Sequence, residues 1–191
     1  MSEQFKAVAA ELGKEVSELM VAVLKRDRHN DLIASIRATG ARVRLFGDGD
    51  VAMAIATALP GTGVDMLMGV GGTPEGVIAA AALKCLGGSI YGKLYPRNPE
   101  ELQAGIDFGF DMDAVISIDD LVDSDNCFFA ATGITGGEFL SGARVLSSAE
   151  EAGDDHLVET SSVAYRSATR TIRRITTTHS LTKMQALGIS I

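Results

Sequence analysis

Three short loops hold most of the residues in this chain that could do chemistry. They are the basic loop Arg26-Asp27-Arg28-His29, the acidic turn Gly47-Asp48-Gly49-Asp50 and the glycine-rich loop Gly71-Gly72-Thr73-Pro74-Glu75-Gly76. Paired guanidinium groups suit bidentate capture of a phosphate, and carboxylates suit sugar hydroxyls or a hard cation such as Mg²⁺. Glycines before a helix let backbone N–H groups approach an anion. Together the loops predict a site for a phosphorylated ligand.

Each loop also has an ordinary structural explanation. A run of surface charges is usually only solvated, and His29 could simply cap the helix that follows it. In the acidic turn, Asp50 could cap the next helix. The run Thr73-Pro74-Glu75 is typical of a helix start, with threonine at the N-cap and proline at the first helical position. That explanation leaves the glycines Gly69, Gly71 and Gly72 unexplained.

The segments around the three loops alternate between strand and helix patterns. Apolar or alternating runs predict strands over residues 19–24, 42–46 and 64–70, and helical spacing predicts helices over residues 31–39, 51–59 and 75–86. A βαβαβα order with short connections favours a parallel sheet with right-handed crossovers, which is the core of an α/β fold. Because the carboxyl ends of parallel strands meet at one edge, we expect the three loops to lie side by side.

The last third of the chain is rich in β-branched residues. Residues 127–132 predict a strand, and residues 156–166 and 169–179 predict a hairpin joined at Ser167-Ala168. We interpret Arg170, Arg173, Arg174 and His179 as strand surface or an interface contact, and the acidic residues 150–155 as a solvated loop. Weaker patterns predict helices over residues 5–12 and 100–109, a helical turn at 119–122, a strand or loop at 90–95, and a short helix or tail from residue 181.

Composition narrows the class of protein. The 191 residues are 46% hydrophobic and carry a net charge of -8, which indicates a globular chain and argues against nucleic acid or an anionic membrane as a partner. Cys85 and Cys127 have no metal-like spacing, so we expect buried free thiols in a reducing cytoplasm. The start of the chain shows no signal peptide pattern. The longest apolar stretch, residues 77–83, is too short to span a bilayer.

Several motifs, in order along nearly the whole chain, resemble the class II fructose-1,6-bisphosphatases of the GlpX type found in bacteria. They are Val8-Ala9-Ala10-Glu11-Leu12-Gly13-Lys14, Gly47-Asp48-Gly49-Asp50-Val51-Ala52, Gly69-Val70-Gly71-Gly72-Thr73-Pro74-Glu75-Gly76-Val77, Ala131-Thr132-Gly133-Ile134-Thr135 and Ser167-Ala168-Thr169-Arg170-Thr171-Ile172-Arg173-Arg174-Ile175. The resemblance implies a layered α/β sandwich like that of other sugar phosphatases. It also implies hydrolysis of the 1-phosphate of fructose 1,6-bisphosphate with Mg²⁺ or Mn²⁺, and some cyanobacterial relatives also act on sedoheptulose 1,7-bisphosphate.

The resemblance also assigns residues by their match to the family's motifs. It implies substrate-binding roles for Arg26, Asp27, Arg28, Asp48, Gly49, Asp50 and Gly72, and a metal-ligand role for Glu75. Many relatives have proline where Asp27 stands, which makes this loop more acidic and less rigid. The family's catalytic threonine and its other metal carboxylates belong to an N-terminal part that has no counterpart here. The resemblance therefore assigns no catalytic residue to this chain.

These matches predict that residues 1–191 form a single α/β domain equivalent to the family's C-terminal, substrate-binding half. We expect a phosphorylated sugar as ligand and little or no activity from the chain alone. We also expect exposed apolar surface, and hence a homo-oligomer or association with the missing N-terminal half. One alternative is a non-catalytic phosphosugar-binding or assembly module from a truncated or split gene. Another is a stand-alone phosphatase that uses Asp48, Asp50 and Glu75 as its own metal cluster.

Overall fold

The computed structural model describes residues 1–137, 139–146 and 156–189 of the chain. The chain divides into two compact units, Met1–Asp125 and Asn126–Ile191. The predicted solvated loop at residues 150–155 lies outside the described residues. That residues 1–191 work as a single domain stays a prediction.

A three-stranded parallel sheet organises the first unit. Its central strand is β1 (Met20–Leu24), with β2 (Arg42–Phe46) on one edge and β3 (Met66–Met68) on the other. The side chains of residues 21–23 are fully buried, as is typical of a parallel strand that is covered on both faces. The predicted α/β fold with a parallel core is confirmed.

Helices follow the strands in the predicted order. They are α1 (Ser2–Leu12), α2 (Asn30–Ala38), α3 (Asp50–Ala56) and α4 (Thr73–Leu86), with short 3₁₀ turns at Val16–Glu18 and Asp27–His29. Phe5 of α1 and Ile36 of α2 pack with the buried side chains of β1 in the main core cluster. Gly13 ends α1 in the left-handed conformation with φ of 63°, which glycine adopts without strain.

An ion pair closes the amino-terminal edge of this sheet. The Asp65 carboxylate accepts from Lys14 Nζ at 2.5 Å and from the backbone N–H of Met20 at 2.8 Å. Burial raises the pKa of Asp65, but the bonds from Lys14 and Met20 outweigh it and leave the pKa below its usual value. Asp65 therefore ties the end of α1 and the start of β1 to β3, on the side away from the three loops.

The rest of the first unit is built from short elements. They are β4 (Tyr91–Gly92), α5 (Pro99–Asp107), β5 (Ile116–Ser117) and α6 (Ile118–Leu121), with β4 and β5 antiparallel. Asn98 and Ser117 cap the two helices, since each side chain accepts a backbone N–H three residues later. The predicted helices at 100–109 and 119–122 are present with small shifts of their ends, and the segment at 90–95 contains only a two-residue strand.

The second unit is an antiparallel sheet. Its elements are β6 (Phe128–Thr132), β7 (Arg144–Val145), β8 (Leu157–Arg166), β9 (Thr171–Ser180) and the helix α7 (Leu181–Ala186). β9 pairs with β8 along all of β8, and β6 and β7 share the other edge. The predicted hairpin is confirmed. Three exposed arginines, at positions 170, 173 and 174, lie on it as strand and turn surface.

The two faces of this sheet differ in burial. Phe129 and Tyr165, which are paired across β6 and β8, stack at 5.7 Å between ring centroids and are buried. On the other face Phe128, Val145 and Ile175 are 64%, 69% and 43% exposed. Exposed apolar surface is what we expected of this chain, and such a surface is typical of an interaction site.

Two other predictions from composition can be checked directly. Neither cysteine is in a disulfide; Cys85 is buried, as expected, whereas Cys127 is only half-buried. Over the described part of the chain, no helix is long and apolar enough to cross a membrane.

Candidate functional site

All three predicted loops lie at the carboxyl-terminal edge of the parallel sheet. The basic loop follows β1, the acidic turn follows β2 and the glycine-rich loop follows β3. Since the strand order is β2-β1-β3, the basic loop lies between the other two and can contact both. This edge is where open α/β sheets bind their ligands.

Arg26 connects the basic loop to the acidic turn. Its Nη1 donates to the carbonyl oxygen of Gly47 at 3.0 Å, and its Nη2 lies 3.3 Å from Asp48 Oδ1. The Asp48 side chain is 97% exposed, so water and salt screen this pair and it contributes little to stability. An incoming phosphate, with more charge than a carboxylate, can therefore replace Asp48 as the partner of Arg26.

Arg28 connects the basic loop to the glycine-rich loop. Its Nε and Nη2 both donate to the carbonyl oxygen of Val70, at 3.2 and 2.8 Å. A guanidinium has five N–H donors, so this contact holds the side chain in place and leaves others for a ligand. Asp27, between the two arginines, is exposed at the start of a 3₁₀ turn.

His29 has a structural role, although it lies in a charged loop. It is 1% exposed, with Nδ1 2.7 Å from the carbonyl oxygen of Leu24 and Nε2 accepting from Val70 N–H at 2.9 Å. Because the backbone N–H must donate, Nε2 is unprotonated and Nδ1 donates to Leu24, which is the neutral imidazole. His29 occupies the N-cap position of α2 but makes no side-chain cap bond. Its ring holds β1 to the loop after β3 instead.

This bond also explains why the third strand ends earlier than predicted; at its other end, β3 begins at Met66 rather than at residue 64. The N–H of Val70 is directed to the histidine ring rather than to a neighbouring strand, so β3 ends at Met68. A Cβ on Gly69 would lie 3.1 Å from Cε1 of His29. Glycine at position 69 therefore allows the backbone to pass close to the ring.

The glycine-rich loop starts α4 at Thr73, earlier than the sequence indicated. Gly72 is the N-cap, because its carbonyl oxygen accepts from Gly76 N–H at 3.1 Å, so Thr73 already belongs to the helix. The prediction of Thr73 as N-cap is wrong for this reason. The Glu75 side chain folds back over the loop, and a Cβ on Gly72 would lie 2.0 Å from Glu75 Oε2. Gly72 thus makes room for a carboxylate at the positive end of a helix.

Asp50 brings a second carboxylate to the same loop. It is the first residue of α3 rather than its cap, since Gly49 holds the N-cap position with φ of 85°. Asp50 Oδ1 accepts from Val51 N–H at 2.9 Å, and Oδ2 lies 3.6 Å from where a Cβ on Gly71 would stand. Asp50 and Glu75 therefore flank the dipeptide Gly71-Gly72.

A cavity of about 270 Å³ opens beside these two carboxylates. Its walls are the loop from Gly69 to Gly76, the first turns of α3, and the segment from Ile90 to Leu94. Arg26, Arg28 and Asp48 are not part of its lining and lie on the adjoining loops. The segment from Ile90 to Leu94 is the part of the site that sequence reasoning missed. The available signal was Tyr91 and Lys93 after the glycine pair that ends α4.

Carboxylate and carbonyl oxygens are the ligands that Mg²⁺ and Mn²⁺ prefer, so Asp50 and Glu75 fit one side of such a site. Among the described residues, however, no group of three or more His, Cys, Asp or Glu side chains could hold a metal ion. The stand-alone cluster of Asp48, Asp50 and Glu75 is therefore wrong, because Asp48 projects into solvent beside Arg26. That Glu75 is a metal ligand stays a prediction.

Comparison with known proteins identifies similar sequences over nearly the whole chain. The profile of the family described as "Bacterial fructose-1,6-bisphosphatase, glpX-encoded" matches residues 1–179. A Haemophilus influenzae protein named fructose-1,6-bisphosphatase class 2 is 37% identical over 194 residues, which are 95% of this chain and 56% of that protein.

Two cyanobacterial proteins are as similar, and both are named D-fructose 1,6-bisphosphatase class 2/sedoheptulose 1,7-bisphosphatase. The Gloeobacter violaceus protein is 37% identical over 94% of this chain and 54% of its own length. The Synechococcus protein is 37% identical over 99% of this chain and 56% of its own length. The chain therefore spans about half the length of the curated relatives that it matches.

Proposed function

The chain belongs to the glpX-encoded bacterial fructose-1,6-bisphosphatase family, and from this premise we propose that it is the substrate-binding half of a sugar-bisphosphate phosphatase. The observation that supports this most is the meeting of the three loops at one sheet edge, beside a cavity with two carboxylates. The ligand is a phosphorylated sugar. Fructose 1,6-bisphosphate is the first candidate, and sedoheptulose 1,7-bisphosphate is the second because two relatives are named for both.

In this proposal each loop binds a different part of the ligand. Arg26 and Arg28 bind a phosphate, since both guanidinium groups lie on the basic loop and are held by weak or partial contacts. Asp48 and Asp50 accept hydrogen bonds from sugar hydroxyls, with Gly49 giving the turn its left-handed backbone. The backbone at Gly72 approaches the ligand at the start of α4, where the helix dipole favours an anion.

Glu75 supplies one ligand to a Mg²⁺ or Mn²⁺ ion in the complete enzyme. A bound divalent ion neutralises charge on the phosphate that is hydrolysed. The described residues provide too few donors to hold that ion alone, so we propose that the N-terminal part of the family's sequence supplies the further ligands. For the same reason we propose that the chain alone has little or no phosphatase activity.

A second candidate function is a non-catalytic sugar-phosphate-binding or assembly module. The exposed face of the second unit, with Phe128, Val145 and Ile175, favours this possibility. It fits association with a second copy of the chain or with a polypeptide that carries the other half of the family's sequence.

Two measurements on the purified chain test the proposal. Calorimetric titration with fructose 1,6-bisphosphate should show binding, and a phosphate-release assay with Mg²⁺ or Mn²⁺ should show no turnover. Robust phosphate release, removed by Glu75→Gln, would contradict the role of a half-site. No binding of either bisphosphate would contradict the binding role and leave assembly as the function.

A further inference from the structure

The cavity beside Asp50 and Glu75 contains a cation that neither the motifs nor the family resemblance assigns. This cation is Lys93, which lines the cavity from the segment that follows α4. The other charged side chains in the lining are the two carboxylates, and His29 is neutral with both ring nitrogens bonded. A phosphate dianion in this cavity would therefore meet two negative groups and one positive group.

The position of Lys93 is fixed by the elements around it. Tyr91 and Gly92, just before it, pair with β5. The helix α6 that follows β5 is tied to α4, because Lys84 Nζ donates to Asp119 Oδ1 and to the carbonyl oxygen of Val122, both at 2.8 Å. The wall that carries Lys93 is thus anchored to the same helix whose first turn carries Glu75.

Lys93 also differs from the other basic residues near the site. Within the described part of the chain it is exposed and has no hydrogen bond or ion pair, whereas Arg26 and Arg28 are each bonded within the loops. An ammonium group on a flexible stem is a point charge that adapts to a phosphate oxygen. It lines the cavity, whereas the two arginines lie on the adjoining basic loop, outside the lining.

We infer that Lys93 is a phosphate-binding residue of this site, and that it binds one phosphate of a sugar bisphosphate while Arg26 and Arg28 bind the other. The inference rests on the proposed function, because it assumes that the ligand is a sugar bisphosphate. It makes Lys93 a determinant of specificity. The residue favours ligands with two phosphates over those with one, since only a bisphosphate can contact Lys93 in the cavity and the two arginines on the adjoining basic loop at once.

Calorimetry on the full chain in metal-free buffer tests this inference with three probes: fructose 1,6-bisphosphate, fructose 1-phosphate and fructose 6-phosphate. Loss of one hydrogen bond to a charged group should make Lys93→Gln bind the bisphosphate about tenfold more weakly. The variant should weaken only one of the two monophosphates, the one whose phosphate Lys93 binds. Lys93→Arg should bind the bisphosphate nearly as well as the wild type, and Lys6→Gln, on an exposed position of α1, should match the wild type.

The outcomes separate this inference from the function on which it rests. If the wild type binds the bisphosphate and Lys93→Gln binds it equally well, the role of Lys93 is wrong and the binding function stands. An equal loss for both monophosphates would indicate a general charge effect and would also overturn it. No binding by the wild type at millimolar ligand would overturn the binding function and the inference together.

Discussion

Replacing His29 should destabilise the first unit more than any change in the exposed charges beside it. The ring is fully buried and bonds to both the carbonyl oxygen of Leu24 and the N–H of Val70. His29→Ala leaves these two backbone groups without partners, at about 1 to 3 kcal/mol each, and opens a cavity. Because water can enter part of the space that the ring vacates and bond to these backbone groups, we expect the free energy of unfolding to fall by only about 3 kcal/mol.

Urea unfolding followed by far-ultraviolet circular dichroism measures this loss, since most of the helices belong to the first unit. Asp27→Ala, a neighbouring exposed position, is the control and should change the free energy by less than about 0.5 kcal/mol. His29→Gln places an amide oxygen near the former Nε2 and should recover about 1 kcal/mol by accepting from Val70 N–H. A loss below about 1 kcal/mol in His29→Ala would refute the structural role assigned to this ring.

Three further predictions concern Asp65, Gly72 and Phe128. The bonds to Asp65 hold its pKa below the usual value, so the ionised carboxylate stabilises the fold above the unfolded pKa near 3.8, and this stabilisation is lost as the pH falls through the folded pKa. In Asp65→Asn the free energy of unfolding should therefore depend less on pH in the acid range, and Lys14→Met should reduce the dependence in part. In Gly72→Ala the new methyl displaces the Glu75 carboxylate and blocks the close approach of the backbone to the ligand, so bisphosphate binding should fall about tenfold while the free energy of unfolding changes by less than about 1 kcal/mol. Unchanged binding would argue against the glycine-rich loop as part of the binding site. Phe128→Ser should reduce self-association in sedimentation velocity, and equal association would point to another surface.

The sequence allowed the parallel core to be predicted because its strands and helices have strong local patterns. The second strand, Arg42–Phe46, has the predicted bounds, since it alternates and is followed by a glycine turn. The third strand was predicted too long, because its apolar run continues to Val70. The strand ends because Val70 N–H donates to the ring of His29, 41 positions earlier in the chain, and no local pattern contains that contact.

The same limit applies to the site. The arginines and carboxylates could be predicted to meet, since the topology of a parallel sheet brings its loops together. The exact N-cap residue of α4 could not be predicted, because either Gly72 or Thr73 is compatible with a helix start. Lys93 was missed because its segment has a weak pattern and reaches the cavity only through the pairing of β4 with β5.

Nuclear magnetic resonance of the labelled chain tests most directly whether the three loops form one sugar-phosphate site. On titration with fructose 1,6-bisphosphate, we predict saturable chemical-shift changes of the backbone amides at residues 47–50 and 71–73 and of the Arg26 and Arg28 side chains. Amides of β8 and β9 should stay unchanged. Shifts confined to the second unit, or none at millimolar ligand, would contradict the assignment of this sheet edge as the substrate-binding surface.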